Sequence, residues 1–336
     1  MEYRRVGDTG LFVSQMCLGT ETFGWGADER TAHAMGDRFV DAGGNFFDTA
    51  NIYNSGQAEV MLGKWLKKHG ARSQYVVATK AYFPVGKDAN DHGLSRKHLL
   101  SAIDDSLTRL ETDYIDLYYV HSQDATTPLE ETLDTLNDLV HSGKIRYFGA
   151  SNFVSSELQR ALCVSHTHHW NRFSCLQPEY NLLVRSTEWE LLPLCRREGL
   201  GVVCYAPLAG GWLTGKYRRD EALPPESRAA RGDCWDDLPE QRANDRAWAV
   251  IAALWEVAKT RGKTPAQVAL NWLQLQSGVT APIVGARTVE QLEENLGALG
   301  WHLSYDELEH LDAVSRMSLP YPYDYVARNV RGRAPK

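Results

Sequence analysis

Four titratable side chains follow separate apolar runs in the first half of the chain, at or just past the point where each run ends. They are Asp48, Tyr53, Lys80 and His121. Each alone has an ordinary structural explanation: a helix cap, a loop aromatic, a solvated strand end and a hydrogen-bonded core histidine. If the runs are neighbouring strands of a barrel, however, their ends meet at one face and the four side chains converge.

Together these side chains have the chemistry needed to reduce a carbonyl group. A carbonyl that accepts a hydride becomes an alkoxide, which must be protonated as it forms. Tyrosine is a poor acid at neutral pH because its ordinary pKa is about 10. We therefore expect Lys80 to lower the pKa of Tyr53, and Asp48 to keep Lys80 charged. His121 can donate a hydrogen bond that orients and polarises the carbonyl.

The runs that must position these side chains are short and rich in β-branched or aromatic residues. Most are apolar on both faces, as is typical of parallel strands buried on both sides. The predicted strands are 13–19, 44–50, 75–80, 114–121, 145–151, 173–178, 201–207 and 280–286.

Amphipathic segments with recognisable helix starts separate these strands. We predict capping boxes at Thr127–Glu130, Thr264–Gln267, Thr288–Gln291 and Ser304–Glu307, the first two with proline at the first helical position. Eight strand–helix units in a chain of this length predict a (β/α)8 TIM barrel that forms a single domain over residues 1–336.

Two segments exceed a minimal barrel. Residues 215–243 are charged and contain proline, and we expect them to form a long loop on the cofactor and substrate side after the seventh strand. Residues 318–336 are aromatic and then basic, and we expect this C-terminal tail to lie over the barrel mouth.

Composition limits the classes of partner. The net charge is -7, which argues against nucleic acid or an anionic membrane as the main partner. The six cysteines contain no C-x-x-C pair, and no apolar run resembles a signal peptide or a membrane span, so we expect reduced thiols and a cytoplasmic protein, monomeric or homo-oligomeric. His166, His168 and His169 lack a metal-ligand spacing, and we predict no metal site.

The spacing of Asp48 and Tyr53, together with Lys80 and His121, resembles the catalytic tetrad of the aldo-keto reductase superfamily. Further segments are similar to the branch that includes bacterial aldo-keto reductases and the potassium-channel β-subunits. They are FFDTANIYNSGQAEVMLGKWL (46–66), GLSRKHLLSAIDDSLTRLETDYIDLYYVH (93–121), GKIRYFGASN (143–152), YAPLAGGWLTGKY (205–217), PPESRA (224–229) and IVGARTVEQLEENLGAL (283–299). This resemblance implies an oxidoreductase that uses NADPH to reduce an aldehyde or ketone to an alcohol, with Tyr53 as general acid.

The same resemblance implies a set of residues that bind the cofactor. Ser151, Asn152 and Gln177 resemble the family's clamp on the nicotinamide amide, and Tyr205 resembles the aromatic residue on which the ring stacks. The set for the pyrophosphate strap is Pro207, Leu208, Gly210 and Lys216, with Arg228 closing over it. The set for the adenosine end is Gly285, Arg287, Gln291, Glu294 and Asn295, and Thr20 completes the cofactor residues.

Arg287 decides which cofactor we expect. It stands beside the predicted helix start at Thr288, where a 2′-phosphate would meet both a guanidinium and a helix N-terminus. This combination favours NADPH over NADH. The alternative is a surface arginine near a capping box.

Aromatic residues near the loops above the barrel could line a pocket for a small carbonyl substrate. They are Phe23, Trp25, Tyr82, Phe83 and Trp212, with Tyr321 and Tyr323 as further candidates. An alternative function from another class is a cofactor-sensing regulatory or binding subunit with vestigial reductase activity. Slow turnover with every carbonyl and tight retention of NADPH would favour it.

Overall fold

Eight parallel strands close into a barrel in the computed structural model of the protein, which describes residues 1–219, 221–225, 227–231 and 242–330. The first seven barrel strands are neighbours in sequence order, and the eighth closes the barrel between the seventh and the first. Every predicted strand is present, and the predicted TIM barrel is confirmed. The barrel strands are β3 (Cys17–Gly19), β4 (Phe46–Asp48), β5 (Val76–Ala81), β6 (Ile115–Val120), β7 (Ile145–Ser151), β8 (Cys175–Gln177), β9 (Gly201–Cys204) and β10 (Val279–Val284).

The first predicted strand, 13–19, was drawn too long. Its beginning belongs to a separate antiparallel hairpin of β1 (Tyr3–Arg5) and β2 (Phe12–Ser14), and only Cys17–Gly19 enters the barrel. The break lies at Ser14, whose hydroxyl donates to the carbonyl oxygen of Met16 at 2.7 Å. This local hydrogen bond turns the chain away from the hairpin before the barrel begins.

Helices surround the barrel, and side-chain caps define most of their starts. Thr264 and Ser304 form the predicted capping boxes, so these two predictions are confirmed. The larger helices are Glu29–Asp41, Gln57–His69, Arg96–Arg109, Leu129–His141, Ser155–His168, Leu191–Glu198, Asp245–Arg261, Pro265–Gln274, Val289–Leu296 and Tyr305–Ser315.

The other two predicted capping boxes differ from the structure: the box at Thr127 is absent, and the box at Thr288 is half formed. Pro128 is the N-cap of Leu129–His141, because the Thr127 hydroxyl donates to Asp124 at 2.8 Å instead of capping the helix. Thr288 accepts from the backbone of Gln291 as expected. The Gln291 side chain, however, accepts from the backbone N–H of Arg287 at 2.9 Å, so the reciprocal half of the box is missing.

Strand β5 shows how the barrel sorts side chains between two cores. Val76 and Ala78 belong to the cluster inside the barrel, whereas Val77 and Ala81 pack in the larger cluster between barrel and helices. This alternation directs Lys80 into the barrel and Thr79 toward the helix layer. Because apolar side chains fill the lower interior, polar groups collect at the carboxyl ends of the strands.

The two segments outside the minimal barrel contain helical structure. The long loop follows the 3-10 turn Ala209–Thr214 and contains the short helix Arg228–Arg231. Residues 220, 226 and 232–241 of this loop lie outside the described part. The tail forms the helix Tyr323–Val330, and its Tyr323 ring lies 5.8 Å from the Trp189 ring, in the loop that follows β8. Of the helices described, none is both long and apolar enough to cross a membrane.

Candidate active site

The four side chains expected to converge do so at the carboxyl ends of β4, β5 and β6. Asp48 is the last residue of β4, Lys80 lies near the end of β5, and His121 follows β6 directly. Tyr53 begins a 3-10 turn just beyond β4. The Lys80 ammonium, which is 0% exposed, is the centre of the group.

Lys80 donates three hydrogen bonds. They go to Asp48 Oδ1, to the carbonyl oxygen of Thr49 at 2.7 Å and to the Tyr53 hydroxyl at 3.2 Å. Burial alone would lower the pKa of Lys80, but Asp48 and then Tyr53 outweigh burial and raise that pKa above its ordinary value. The lysine therefore stays charged inside the barrel, as its expected role requires.

Asp48 uses its second oxygen as well. Oδ2 accepts from Gln177 Nε2 at 2.8 Å. Burial raises the pKa of this carboxyl group, whereas Lys80 and Gln177 act to lower it. Both oxygens are thus satisfied, and Gln177 links the carboxylate to β8.

The acidity of Tyr53 differs from the expectation. Burial raises the pKa of Tyr53 to about 12, and the opposing effect of Lys80 is smaller than that of burial. Asp48 and Glu21 act in the same direction as burial. The effect of Lys80 on the pKa of Tyr53 therefore has the expected direction, but burial outweighs it, because the sequence identifies the neighbouring lysine and not the depth of burial.

His121 lies beside Tyr53 and is neutral. The two ring centres are 5.9 Å apart, and the Phe83 ring is 4.9 Å from the imidazole. Burial and then Lys80 hold the pKa of His121 well below its ordinary value. Its Nδ1 atom is buried and has no hydrogen-bond partner among the described residues. A neutral imidazole with an unused ring nitrogen is suited to binding an oxygen atom.

Two buried or strained features around Tyr53 were missed by sequence reasoning. Asn54 and Ser55 have φ angles of 47° and 54°, which L-residues adopt only when the surroundings support them. Glu59, in the first turn of the next helix, is 0% exposed and accepts hydrogen bonds from Thr79 and Arg109. A carboxylate on the same helix face as Leu62 and Leu66 was the signal available in the sequence.

The residues expected to clamp an amide lie together at the ends of β7, β8 and β9. Ser151 donates to the carbonyl oxygen of Gln177 at 2.9 Å. Asn152 donates to the carbonyl oxygen of His121 at 3.0 Å and accepts from the Tyr205 hydroxyl at 2.9 Å. Amide, hydroxyl and aromatic groups are therefore grouped beside the four catalytic candidates. Among the described residues, Asn51 and His121 each have a buried polar atom without a hydrogen-bond partner, and such atoms fit a polar ligand.

The candidate strap for a pyrophosphate is a glycine-rich turn. Pro207 and Leu208 lead into Ala209–Thr214, where Gly210 and Gly211 have φ angles of 62° and 98°. A Cβ atom on Gly211 would lie 2.5 Å from Lys216 Nζ, so glycine allows this ammonium to lie against the turn. Arg228 begins the helix Arg228–Arg231, and the contact predicted for its side chain lies outside the described residues.

The residues expected at the adenosine end surround the start of the helix Val289–Leu296. Asn295 donates to the carbonyl oxygen of Gly285 at 3.4 Å. The Arg287 guanidinium carbon lies 5.8 Å from the centre of the Trp25 ring. Gln291 binds the Arg287 backbone, and Glu294 is exposed on the outer face. Thr20 lies apart from them, where its hydroxyl donates to the carbonyl oxygen of Asp48 at 3.1 Å.

The aromatic residues expected to line a substrate pocket separate into three groups. The Tyr82 and Phe83 rings pack edge to face, and the Phe83 ring packs in the same way against His121. Trp25 lies against Arg287, near the adenosine residues. Phe23 and Trp212 are only 2% and 1% exposed and belong to the hydrophobic core cluster. Phe83 connects this aromatic group to the four catalytic candidates, because its ring contacts His121 directly.

The model of the aldo/keto reductase family matches residues 15–316, which is nearly the whole chain. The chain belongs to the aldo/keto reductase family. Family members generally use nicotinamide cofactors, which agrees with the amide, glycine-rich and arginine groups found around the barrel mouth.

Similar proteins include both enzymes and channel-associated proteins. The uncharacterized oxidoreductase YrpG of Bacillus subtilis is 39% identical over 94% of this chain and 96% of its own length. A probable voltage-gated potassium channel subunit beta of Oryza sativa is 38% identical, over 89% of this chain and 91% of that protein. The versiconal hemiacetal acetate reductase of Aspergillus parasiticus is 33% identical, over 93% of this chain and 96% of that protein. The oxidoreductase of Bacillus subtilis and the reductase of Aspergillus parasiticus support an oxidoreductase.

Proposed function

We propose that this aldo/keto reductase uses NADPH to reduce an aldehyde or ketone to an alcohol, with Tyr53 as the proton donor. The observation that supports it most is the Tyr53 hydroxyl 3.2 Å from the buried Lys80 ammonium, beside the His121 ring. A hydroxyl, an ammonium and a neutral imidazole at one barrel mouth have the groups that a carbonyl reduction needs.

Each of the four residues has its own role in the proposed reaction. His121 binds the carbonyl oxygen and orients it toward the Tyr53 hydroxyl. Tyr53 then donates its proton to the oxygen as negative charge develops there. The positive charge of the Lys80 ammonium stabilises the tyrosinate that remains after the proton has been transferred. Asp48 keeps that ammonium protonated and fixed. General-acid assistance of this kind contributes about 10²–10⁴ in rate.

The raised pKa of Tyr53 is compatible with this role. A donor with a pKa of about 12 keeps its proton throughout the neutral range, so the protonated form is always available. The oxygen of a forming alkoxide is more basic than a phenolate, and proton transfer to it is therefore downhill.

The cofactor residues fit a reduced nicotinamide nucleotide. When bound, NADPH supplies the hydride. Ser151, Asn152 and Gln177 would hold the amide that fixes the reacting face, and Tyr205 would stack on the ring. Arg287, beside the capped helix start at Thr288, would bind the 2′-phosphate that distinguishes NADPH from NADH.

The test is a measurement of NADPH oxidation across aromatic aldehydes, aliphatic aldehydes and diketones, with Tyr53→Phe as the control variant. We expect the wild type to oxidise NADPH with at least one class, and Tyr53→Phe to bind NADPH normally while losing about 10²-fold or more of that rate. Equal rates in the two proteins would exclude Tyr53 as the proton donor. A wild type that retains NADPH tightly but turns over no carbonyl would favour the regulatory-subunit alternative.

A further inference from the structure

A buried carboxylate outside the barrel connects the segment that carries Tyr53 with the strand that carries Lys80. This carboxylate is Glu59, which is 0% exposed. It lies in the first turn of Gln57–His69, a helix that begins directly after the 3-10 turn Tyr53–Gly56. The reaction described above makes no use of it.

The first contact of Glu59 is with β5. The Thr79 hydroxyl donates to Glu59 Oε1 at 2.5 Å. Thr79 directly precedes Lys80, and the two side chains leave the strand on opposite faces. The position of Glu59 is therefore coupled to the place on β5 from which Lys80 enters the barrel.

The second contact supports the turn that carries Tyr53. Arg109 Nε donates to Glu59 Oε2 at 2.7 Å. The same arginine packs beneath Gly56, where a Cβ atom would lie 2.8 Å from Arg109 Cδ. Gly56 follows Asn54 and Ser55, and all three have positive φ angles. A turn with two such non-glycine residues needs support from its surroundings, and Arg109 provides a surface for it.

We infer that Glu59 is a positioning residue for the proton donor, which sets the Tyr53 turn and the Lys80 strand at the spacing that the reaction needs. Glu59 touches no reacting atom and acts through Thr79 and Arg109. The inference rests on the proposed function, because it concerns the proton delivered by Tyr53.

A second carboxylate offers a matched control. Asp116 accepts from Arg72 at 2.7 Å and from the backbone N–H of Val77 at 3.0 Å, and its side chain is 14% exposed. It thus joins an arginine to β5 as Glu59 does, but near the start of the strand and away from the barrel mouth. Losing this carboxylate should cost stability without moving Tyr53.

The experiment compares Glu59→Gln with Asp116→Asn in the full chain. It measures NADPH affinity, the melting temperature, the single-turnover rate of NADPH oxidation with para-nitrobenzaldehyde or the best carbonyl of the panel, and the solvent deuterium isotope effect on that rate. We expect Glu59→Gln to bind NADPH normally and to lower the single-turnover rate by about ten- to hundredfold, as a misplaced catalytic group does. Its isotope effect should rise, because proton delivery becomes more limiting. Asp116→Asn should melt earlier but keep a rate within about twofold of the wild type.

Equal melting losses with wild-type rates and isotope effects in both variants would overturn the inference and leave Glu59 as a residue of the fold alone. Should Glu59→Gln fail to fold, Thr79→Val replaces it, since valine keeps the shape of threonine and removes only the hydroxyl that reaches Glu59. We expect this variant to show the same rise in the isotope effect with a rate loss of about three- to tenfold. No change in either quantity would also overturn the inference.

Tyr53→Phe separates this inference from the proposed function. If Tyr53→Phe keeps the wild-type rate, or if the wild type reduces no carbonyl, the proposed function fails and the role of Glu59 falls with it. If Tyr53→Phe loses the rate and the Glu59 and Thr79 variants do not, only the inference about Glu59 fails.

Discussion

Two buried carboxylates lie on opposite sides of β5. Asp48, inside the barrel, accepts hydrogen bonds from Lys80 and Gln177, whereas Glu59, in the helix layer, accepts from Thr79 and Arg109. Each is nearly inaccessible, and each binds one cation and one neutral donor. The composition of the two clusters is therefore almost the same.

The two clusters differ in the further contacts that each cation makes. Lys80 has a further hydrogen bond to the Tyr53 hydroxyl at the open mouth. Arg109 instead donates to Ser106 and rests against the Tyr53 turn, with 27% of its side chain exposed. In the proposed reaction the inner pair takes part in the chemistry because its cation reaches a group that can exchange a proton. The other pair can contribute geometry alone.

The largest effect should come from removing the inner cation. We expect Lys80→Met to lower the rate of carbonyl reduction by about 10²–10⁴. It should also cost about 3–5 kcal/mol of the free energy of unfolding, because Asp48 is left charged and uncompensated. Single-turnover kinetics and chemical denaturation measure the two quantities. The double variant Lys80→Met with Asp48→Asn should regain most of the stability and none of the rate. Recovery of both would show that the inner pair is structural.

Removing the outer cation should have a smaller effect. Arg109→Met leaves Glu59 without its cation, but water can approach through the partly exposed position. We expect a loss of about 1–3 kcal/mol in the free energy of unfolding. Chemical denaturation beside Lys80→Met gives the comparison directly. A loss of unfolding free energy equal to that of Lys80→Met would mean that water does not solvate Glu59 after Arg109 is removed.

A third cation, Arg287, belongs to neither buried pair and tests charge used for binding. We expect Arg287→Ala to weaken NADPH by about 10- to 100-fold and to leave NADH almost unchanged, since only NADPH has a 2′-phosphate for the guanidinium to bind. Fluorescence titration with both cofactors measures this, and Lys64→Ala, on an exposed surface ion pair, is a suitable control. Equal weakening of both cofactors would contradict a 2′-phosphate contact.

The smallest effect should be that of pH on the reduction rate. In the proposed reaction Tyr53 acts in its protonated form, and this form is lost only as the pH rises through its pKa of about 12. His121 is already neutral, because its pKa is held well below the ordinary value. The single-turnover rate should therefore change by less than about twofold between about pH 6 and 9. A steep fall within that range would show that the pKa of Tyr53 is much lower during the reaction.

The inner cluster was predicted from the sequence, and the outer one was missed. Asp48, Lys80 and His121 end recognisable strands, and barrel geometry brings such ends together. Glu59 sits in the first turn of a helix, where glutamate is common because it complements the helix dipole, so its type alone gave no warning of burial.

The burial of individual side chains was the other property that could not be predicted from the sequence. Phe23 and Trp212 have the residue types of a pocket wall, but they are buried in the core. Residue type does not distinguish these two locations, since both favour aromatic side chains. The same limit applies to Tyr53, whose lysine neighbour was predicted while the burial that raises its pKa was not.

The closure of the barrel between β3 and β10 has a consequence for the newly made chain. Strand β3 leaves the ribosome before the other barrel strands, and the strand that covers its free edge is the last barrel strand to be synthesised. Until Val279–Val284 is synthesised, that edge presents unpaired backbone groups to any other extended chain. During this interval the unpaired edge makes the nascent barrel prone to aggregation.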